Sequence, residues 1–150
     1  MWDIIPDIHG HADKLTGLLN KLGYTERNGA WRHSDPMRTV VFLGDFIDRG
    51  QENSKVIRIV RSMIDAGTAQ AVMGNHELNA IHFHTQNYDT GQPLRQHSAK
   101  NLKQHASFLS EHPIGSSEAK DAIKWMQSLP LFIEFDGFRA VHACWNDTAV

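Results

Sequence analysis

Three apolar segments of this chain each lead into a short polar motif, and the spacing of these motifs constrains the fold more than any other feature. The motifs are Asp-Ile-His-Gly at 7–10, Gly-Asp-Phe-Ile-Asp-Arg-Gly at 44–50 and Gly-Asn-His-Glu at 74–77. His9 and Asp45 are 36 positions apart and Asp45 and Asn75 are 30 apart, enough in each case for a βαβ unit of roughly 30 residues. Parallel strands end at one edge of their sheet, where such folds place ligands. The sequence therefore predicts an α/β fold with the three motifs at one edge.

The segments between the motifs have the periodicity of helices and strands. Apolar residues at helical spacing over 15–22 predict a first helix that ends at Gly23, and a second helix is predicted from near Asn53 or Ser54 to Gly67. Asn-Gly at 28–29 predicts a hairpin turn between them. Strands are expected at residues 39–43 and 71–73, because these short apolar runs are typical of strands that are covered on both faces.

The second half of the chain is more polar. Residues 85–117 carry three histidines and only a weak helical pattern at 101–109, so we interpret them as a lid-like excursion over the sheet or a substrate wall. Helical spacing returns at 119–126 and stops before Pro130. Asp-Gly at 136–137 between apolar runs predicts a hairpin whose second strand ends at His142.

Composition limits the class of protein and its partners. The 150 residues are 41% hydrophobic and 21% charged, as expected for one globular domain, here residues 1–150. The net charge of −2 and the scattered Lys and Arg residues predict no specific nucleic-acid binding. The sequence has no apolar run near the roughly 20 residues of a membrane span, a single cysteine, Cys144, and a first strand that begins at Trp2. We therefore expect no membrane partner and a cytoplasmic location.

The residue types in the motifs are those that bind divalent metal ions. Asp, Asn and His supply oxygen and imidazole ligands, and a pair of ions about 3.5–4 Å apart is a common device for hydrolysing phosphate esters. We predict that Asp7 and His9 hold one ion and that Asn75 and His142 hold the other, with Asp45 shared. Taken singly, each of these residues could equally be a turn, surface or core residue, so the prediction depends on their occurrence together.

Three further residues are predicted to carry the reaction. The planar guanidinium of Arg49 suits phosphoryl oxygens, and His76 can act as a general acid. Asp48 would accept a hydrogen bond from the other ring nitrogen of His76 and favour its protonated form. Gly44 and Gly74 would allow the chain to turn sharply beside a ligand.

The remaining histidines, Glu77 and Cys144 are predicted to have surface, packing or structural roles. His82 and His84 are predicted to be surface or packing residues, and are the alternative metal ligands should the first set fail. Glu77 is expected to be structural, and Cys144 to be buried and unreactive. The other histidines are assigned ordinary polar positions, and they are His11, His33, His97, His105 and His112.

Taken in order, the motifs resemble those of the calcineurin-like metallophosphoesterases and, within them, of the phosphoprotein-phosphatase branch, which has GDxHG, GDxxDRG and GNHE. The resemblance implies a four-layer α/β sandwich and a pair of ions, manganese or iron, with zinc also compatible. It implies the same roles as above, in which the metal ligands are Asp7, His9, Asp45, Asn75 and His142, the phosphate contact is Arg49, and the proton donor is His76 with Asp48.

The chain departs from this family pattern in two places. Pro6 stands where the family has Gly, which removes a backbone donor after the first strand. The family also has a later Gly-His-x-His segment with two further ligands, and a second phosphate-binding Arg, and neither occurs within residues 1–150. We therefore expect these residues to be the N-terminal part of a longer domain with an incomplete second sheet, weak or inactive alone.

Three functions are compatible with these observations. The leading hypothesis is a metal-dependent phosphomonoesterase of the serine/threonine protein phosphatase type, acting on a phosphorylated protein or a small phosphoester by in-line attack of a metal-bridging hydroxide. The second hypothesis is a symmetrical dinucleoside tetraphosphate hydrolase, which would differ in its substrate wall. The third hypothesis is a non-catalytic metal-binding scaffold.

Overall fold

The computed structural model describes residues 1–146 and Thr148, and its elements alternate as the sequence predicts. The strands are β1 (Trp2–Ile5), β2 (Tyr24–Arg27), β3 (Ala30–His33), β4 (Thr39–Phe42), β5 (Ala69–Ala71), β6 (Phe132–Phe135) and β7 (Phe138–Val141). The helices are α1 (Ala12–Lys21), α2 (Asn53–Asp65), α3 (Asn75–His84), α4 (Ala99–Glu111) and α5 (Ser117–Met126). The predicted α/β class is confirmed, as are both hairpins.

The central sheet is parallel, with strand order β1-β4-β5. Its register pairs Ile5 with Phe42 and Phe42 with Ala71, so the three strands end at the same level. The three motifs begin within a few residues of these ends, at Asp7, Gly44 and Gly74. The predicted gathering of the motifs at one edge is therefore confirmed.

The two faces of this sheet are covered by different layers. Val40 and Phe42 are fully buried in a core that contains residues of all five helices. Val41, which points to the opposite face, is fully buried against Ala140 of β7 in a second, smaller core. Burying a side chain of this size contributes about 1.5–3 kcal/mol, so both faces of β4 contribute to stability.

The described residues thus form three successive layers, namely helices, the parallel sheet and the β6–β7 hairpin. This hairpin is a separate two-stranded sheet, and all the helices of residues 1–146 contribute to the core on the other side of the parallel sheet. The fourth layer of the predicted sandwich is not formed by this part of the chain. None of its helices has the length and hydropathy that crossing a membrane requires.

Two local predictions need correction. The third strand of the central sheet is Ala69–Ala71 and not 71–73, because Met73 leaves the ladder and donates its N–H to the carbonyl oxygen of Pro130 at 2.8 Å. The weak pattern at 101–109 is part of a full helix, α4, of 13 residues. Ser98 caps it by accepting the N–H of Asn101.

Helix α4 is attached to the start of α2 by a carboxylate. Glu111 accepts hydrogen bonds from the backbone N–H groups of Asn53 at 2.7 Å and Ser54 at 2.9 Å. These N–H groups have no partner inside α2, and a negative charge near a helix N-terminus is favourable. Glu111 therefore fixes α4 beside the second motif, although the interpretation of 85–117 as a lid stays a prediction.

Candidate metal centre and active site

The loops that follow β1 and β4 are joined by backbone hydrogen bonds. The N–H groups of Ile8 and His9 both donate to the carbonyl oxygen of Asp45, at 3.0 and 2.9 Å. Pro6 has no N–H to contribute, so the bonds of the next residues fix this loop. The loop after β4 also lies so close to the third motif that a Cβ on Gly44 would collide with the backbone of Gly74.

The backbone at this edge adopts conformations that are unfavourable for most residues. The non-glycine residues with positive φ in the described chain are His9, Asn28, Asp45, Asp48 and Arg49, with φ from 48° to 70°. All except Asn28 belong to the first two motifs. Such conformations cost about 1–3 kcal/mol each and concentrate at functional sites. The folded state therefore maintains strain at this edge, as an active site often does.

His9 directs one ring nitrogen, Nε2, towards two carboxylates. Its Nδ1 lies 3.0 Å from the carbonyl oxygen of Ile47, and because a carbonyl can only accept, Nδ1 carries the proton. Nε2 is buried, has no hydrogen-bond partner in the described structure, and lies 3.7 Å from a carboxylate oxygen of Asp7 and 3.7 Å from one of Asp45. One imidazole nitrogen and two carboxylates therefore converge here without a direct hydrogen bond between them.

His142 repeats this arrangement on the other side of Asp45. Its Nδ1 donates to the carbonyl oxygen of Leu43 at 2.6 Å. Nε2 lies 3.0 Å from the amide oxygen of Asn75 and 3.5 Å from the second carboxylate oxygen of Asp45. Here too, potential ligand atoms of three side chains converge on one position.

These two arrangements fit a pair of cations. Metal-ligating histidines characteristically donate one ring N–H to a carbonyl or carboxylate and use the other nitrogen for the metal. Asp45 lies between them, since its two oxygens face His9 and His142 respectively. Side chains that could hold a single ion include His9, Asp45 and His76 as one group, and Asp7, Asp45 and His142 as another. The structure thus brings all five predicted ligands to one place, while their roles as ligands stay predictions.

His76 and Asp48 are hydrogen-bonded as predicted, and a third residue joins them. His76 Nδ1 lies 2.7 Å from Asp48 Oδ2, and the other carboxylate oxygen lies 2.8 Å from Nδ1 of the buried His105. Burial alone would raise the pKa of Asp48, but these two bonds outweigh it and lower the pKa. The bond to Asp48 raises the pKa of His76, although burial opposes the effect. His76 Nε2 lies 4.0 Å from Asp45, at the edge of the candidate metal centre.

Glu77 has the structural position that the sequence predicts. Its side chain is fully buried, and its carboxylate accepts backbone N–H groups of Asp45 at 2.8 Å, Phe46 at 2.8 Å and Gly74 at 3.0 Å. Burial raises the pKa of Glu77, and these hydrogen bonds limit the increase. A single side chain therefore joins the second motif to the third.

Arg49 lies at the rim of the site. It is exposed and lines a cavity of about 450 Å³ with Gln51, His76, Lys103 and Gln104. Among residues 1–146 and Thr148, no carboxylate pairs with its guanidinium. Its predicted role as a phosphate contact is compatible with this position and has not been tested.

Two histidines and the cysteine lie in surroundings that differ from those the sequence predicts. His105 and His112, predicted to be ordinary polar residues, are buried. Their helical spacing with Phe108, at i, i+3 and i+7 along α4 and the residue that follows it, is the signal that could have revealed them. His82 is exposed and His84 packs near His105, 3.4 Å away, so both are surface or packing residues as predicted. Cys144 was predicted to be buried, but it is exposed because it lies beyond the last strand.

The chain is similar to known proteins along most of its length. The family model described as calcineurin-like phosphoesterase matches residues 3–147. The asymmetrical bis(5'-nucleosyl)-tetraphosphatase PrpE of Bacillus velezensis is 35% identical over 133 residues, covering 87% of this chain and 50% of the relative. The symmetrical bis(5'-nucleosyl)-tetraphosphatase of Vibrio cholerae is 28% identical over 140 residues, covering 93% of this chain and 43% of the relative.

Solved structures are similar in fold. A metallophosphoesterase from Sphaerobacter thermophilus matches with a TM-score of 0.54 and 19% identity, covering 89% of this chain and 42% of that one. This likeness confirms the predicted metallophosphoesterase fold. The chain spans about half the length, or less, of the curated relatives it matches.

Proposed function

Given that this chain belongs to the calcineurin-like phosphoesterase family, we propose that it forms the two-metal site of a phosphatase that cleaves dinucleoside tetraphosphates. The observation that carries the metal-dependent part is the orientation of His9 and His142. Each donates Nδ1–H to a backbone carbonyl and directs its Nε2 towards Asp45. From the family resemblance we infer manganese or iron as the ions, with Zn²⁺ compatible with the same ligands.

Side chains of the protein itself would bind the substrate and donate a proton to the leaving group. When bound, a pair of divalent ions would supply a nucleophile at neutral pH and neutralise phosphoryl charge. Arg49 would bind phosphoryl oxygens with two parallel N–H groups. His76, whose Nε2 faces the same edge, would donate a proton to the leaving oxygen, and Asp48 would keep its ring oriented and favour its charged form.

The substrate class is supported by the relatives. Two groups of them, asymmetrical and symmetrical, are named bis(5'-nucleosyl)-tetraphosphatases. These names favour a dinucleoside tetraphosphate hydrolase, symmetrical or asymmetrical, over a phosphomonoesterase acting on phosphoprotein or a small phosphoester. Whether cleavage is symmetrical follows from where the two nucleosides bind, and the products distinguish the two cases.

A substrate panel tests this proposal. The full-length protein would be purified metal-free, loaded with Mn²⁺, Fe²⁺ or Zn²⁺, and assayed with diadenosine tetraphosphate, a phosphoserine peptide and para-nitrophenyl phosphate. We expect the highest kcat/KM for the dinucleotide, with two ADP molecules indicating symmetrical cleavage and ATP plus AMP asymmetrical cleavage. A higher kcat/KM for the phosphopeptide would restore the phosphomonoesterase hypothesis, and tight metal binding without turnover would favour the scaffold.

A further inference from the structure

We propose that Arg95, held beside His76 by three amide side chains, forms a second anion subsite that binds the phosphate next to the one being cleaved. This inference rests on the proposed function and deepens it. Residues between 79 and 104 would then recognise two consecutive phosphates, a feature that a phosphomonoester does not have.

Arg95 is held in place by neutral groups. Its guanidinium donates to the amide oxygen of Asn79, to Asn101 Oδ1 at 3.2 Å and to Gln104 Oε1 at 3.1 Å. The first bond comes from Nη1 and the other two from Nη2. An arginine has five N–H donors, so Nε–H and one proton of Nη1 stay available for a ligand. The side chain is oriented without its charge being neutralised.

No acid competes for this charge. In the described ranges, 1–146 and Thr148, no carboxylate lies within salt-bridge distance of Arg95. The acidic residue that lines the same cavity is Asp48, and both of its oxygens accept bonds from histidines. Arg95 is also half-buried, where a hydrogen bond to a charged partner is stronger than in open water.

The cavity places Arg95 next to the candidate reaction centre. It measures about 130 Å³, and its lining includes Arg95, Gln104, Asn75 and His76. Gln104 and His76 also line the adjoining cavity that contains Arg49. Arg49 and Arg95 thus each share a cavity wall with His76, near the metal edge. A chain of phosphates could contact both.

A purely structural role is the competing explanation, since Arg95 connects the segment before α4 to α3 and α4. That segment already has other attachments. The backbone N–H of Arg95 donates to the carbonyl oxygen of His82 at 3.0 Å, and His97 Nε2 donates to that of Phe83 at 2.8 Å. The backbone can thus be fixed without the guanidinium, which leaves its unneutralised charge to be explained.

Calorimetric titration with pyrophosphate and orthophosphate separates these explanations. The full-length protein would be titrated metal-free and again after loading with Mn²⁺ and removal of excess metal. Arg95→Gln should weaken pyrophosphate binding about ten-fold, the effect of losing a charged hydrogen bond. Orthophosphate binding should change by less than about two-fold, because a single phosphate does not need the second subsite. Arg61→Gln is the matched control, since Arg61 lies on α2 and pairs with Asp121 at 2.7 Å, and it should change neither.

Three results would overturn the proposal: equal loss for both anions, no preference of the wild type for pyrophosphate, or the same effect from Arg61→Gln. If thermal melting shows that Arg95→Gln is not folded, Arg95→Lys replaces it. This variant should weaken pyrophosphate binding about three-fold, because lysine keeps the charge but loses the planar fork. The titrations need no turnover. A protein that hydrolyses no phosphoester would refute the proposed function and leave the binding result to be judged separately.

Discussion

His105 donates a 2.8 Å hydrogen bond to Asp48 across 57 positions of sequence. The bond links helix α4 to the second motif, and its acceptor is the same carboxylate that orients His76. A general-acid pair predicted from sequence is therefore one end of a three-residue network. The network has consequences for stability and for the proposed reaction.

Replacing His105 by Phe should destabilise the protein. Phe keeps the ring that stacks on Phe108 but leaves one oxygen of the buried Asp48 without this donor, at a cost of about 1–3 kcal/mol. The free energy of unfolding in urea measures this loss. His112→Phe is the control, because His112 also stacks on Phe108 but does not contact Asp48. Equal stability of His105→Phe and wild type would contradict the role of this bond.

His76→Asn should slow the hydrolysis of alkyl phosphates far more than that of aryl phosphates. An alkoxide needs a proton to leave, and general acid catalysis contributes about 10²–10⁴-fold, whereas a nitrophenolate leaves without help. The measurement is kcat for both substrate classes in the full-length protein. Equal losses of both rates would contradict the general-acid role and indicate a structural or metal-binding role, the latter compatible with the 4.0 Å separation of His76 from Asp45.

Asp45→Asn should reduce bound metal and turnover together. Asp45 is the carboxylate that faces both His9 and His142, so losing its charge weakens both proposed ion positions. Metal content per chain after dialysis, measured by mass spectrometry, checks this expectation. Asp136→Asn, in an exposed hairpin turn, is the control and should retain its metal. Full occupancy in Asp45→Asn would remove Asp45 from the ligand set.

Glu77→Gln should cost about 2 kcal/mol or more of unfolding free energy. The carboxylate accepts three backbone N–H groups, and an amide would direct its own N–H groups at one or more of these donors. Thermal and urea unfolding measure the change, with the exposed Glu26→Gln as control. A stability loss no larger than that of the control would show that Glu77 does not hold the second and third motifs together.

Asp3 should make the free energy of unfolding depend on pH at acid pH. Burial alone would raise its pKa, but hydrogen bonds from Arg38 and Tyr24 outweigh burial and lower the pKa below 3.8. The folded state thus holds this proton less tightly than the unfolded state, so the stabilisation is complete above about pH 4 and is lost as pH falls through the folded pKa. Asp3→Asn should therefore lose more stability, relative to wild type, at pH 7 than at pH 3. The exposed Asp89→Asn should show no such difference.

The sequence by itself determined the α/β order, the hairpins and the convergence of the motifs. These features follow from local periodicity and from one geometric rule, that parallel strands end at a common edge. Asp7, Asp45 and Asn75 come soon after three such strands, so their proximity was predictable without knowing any side-chain conformation. The roles of these residues stay predictions, since their proximity does not by itself establish metal binding.

Only the tertiary structure decided which distant side chains support that edge. The bonds of His105 to Asp48 and of Glu111 to Asn53, and the position of Arg95 beside His76, depend on how α4 packs against the rest of the protein. Helical periodicity indicates which residues share a face, but not what that face contacts. The exposure of Cys144 has the same origin, because burial depends on the layers that surround a residue and not on its residue type alone.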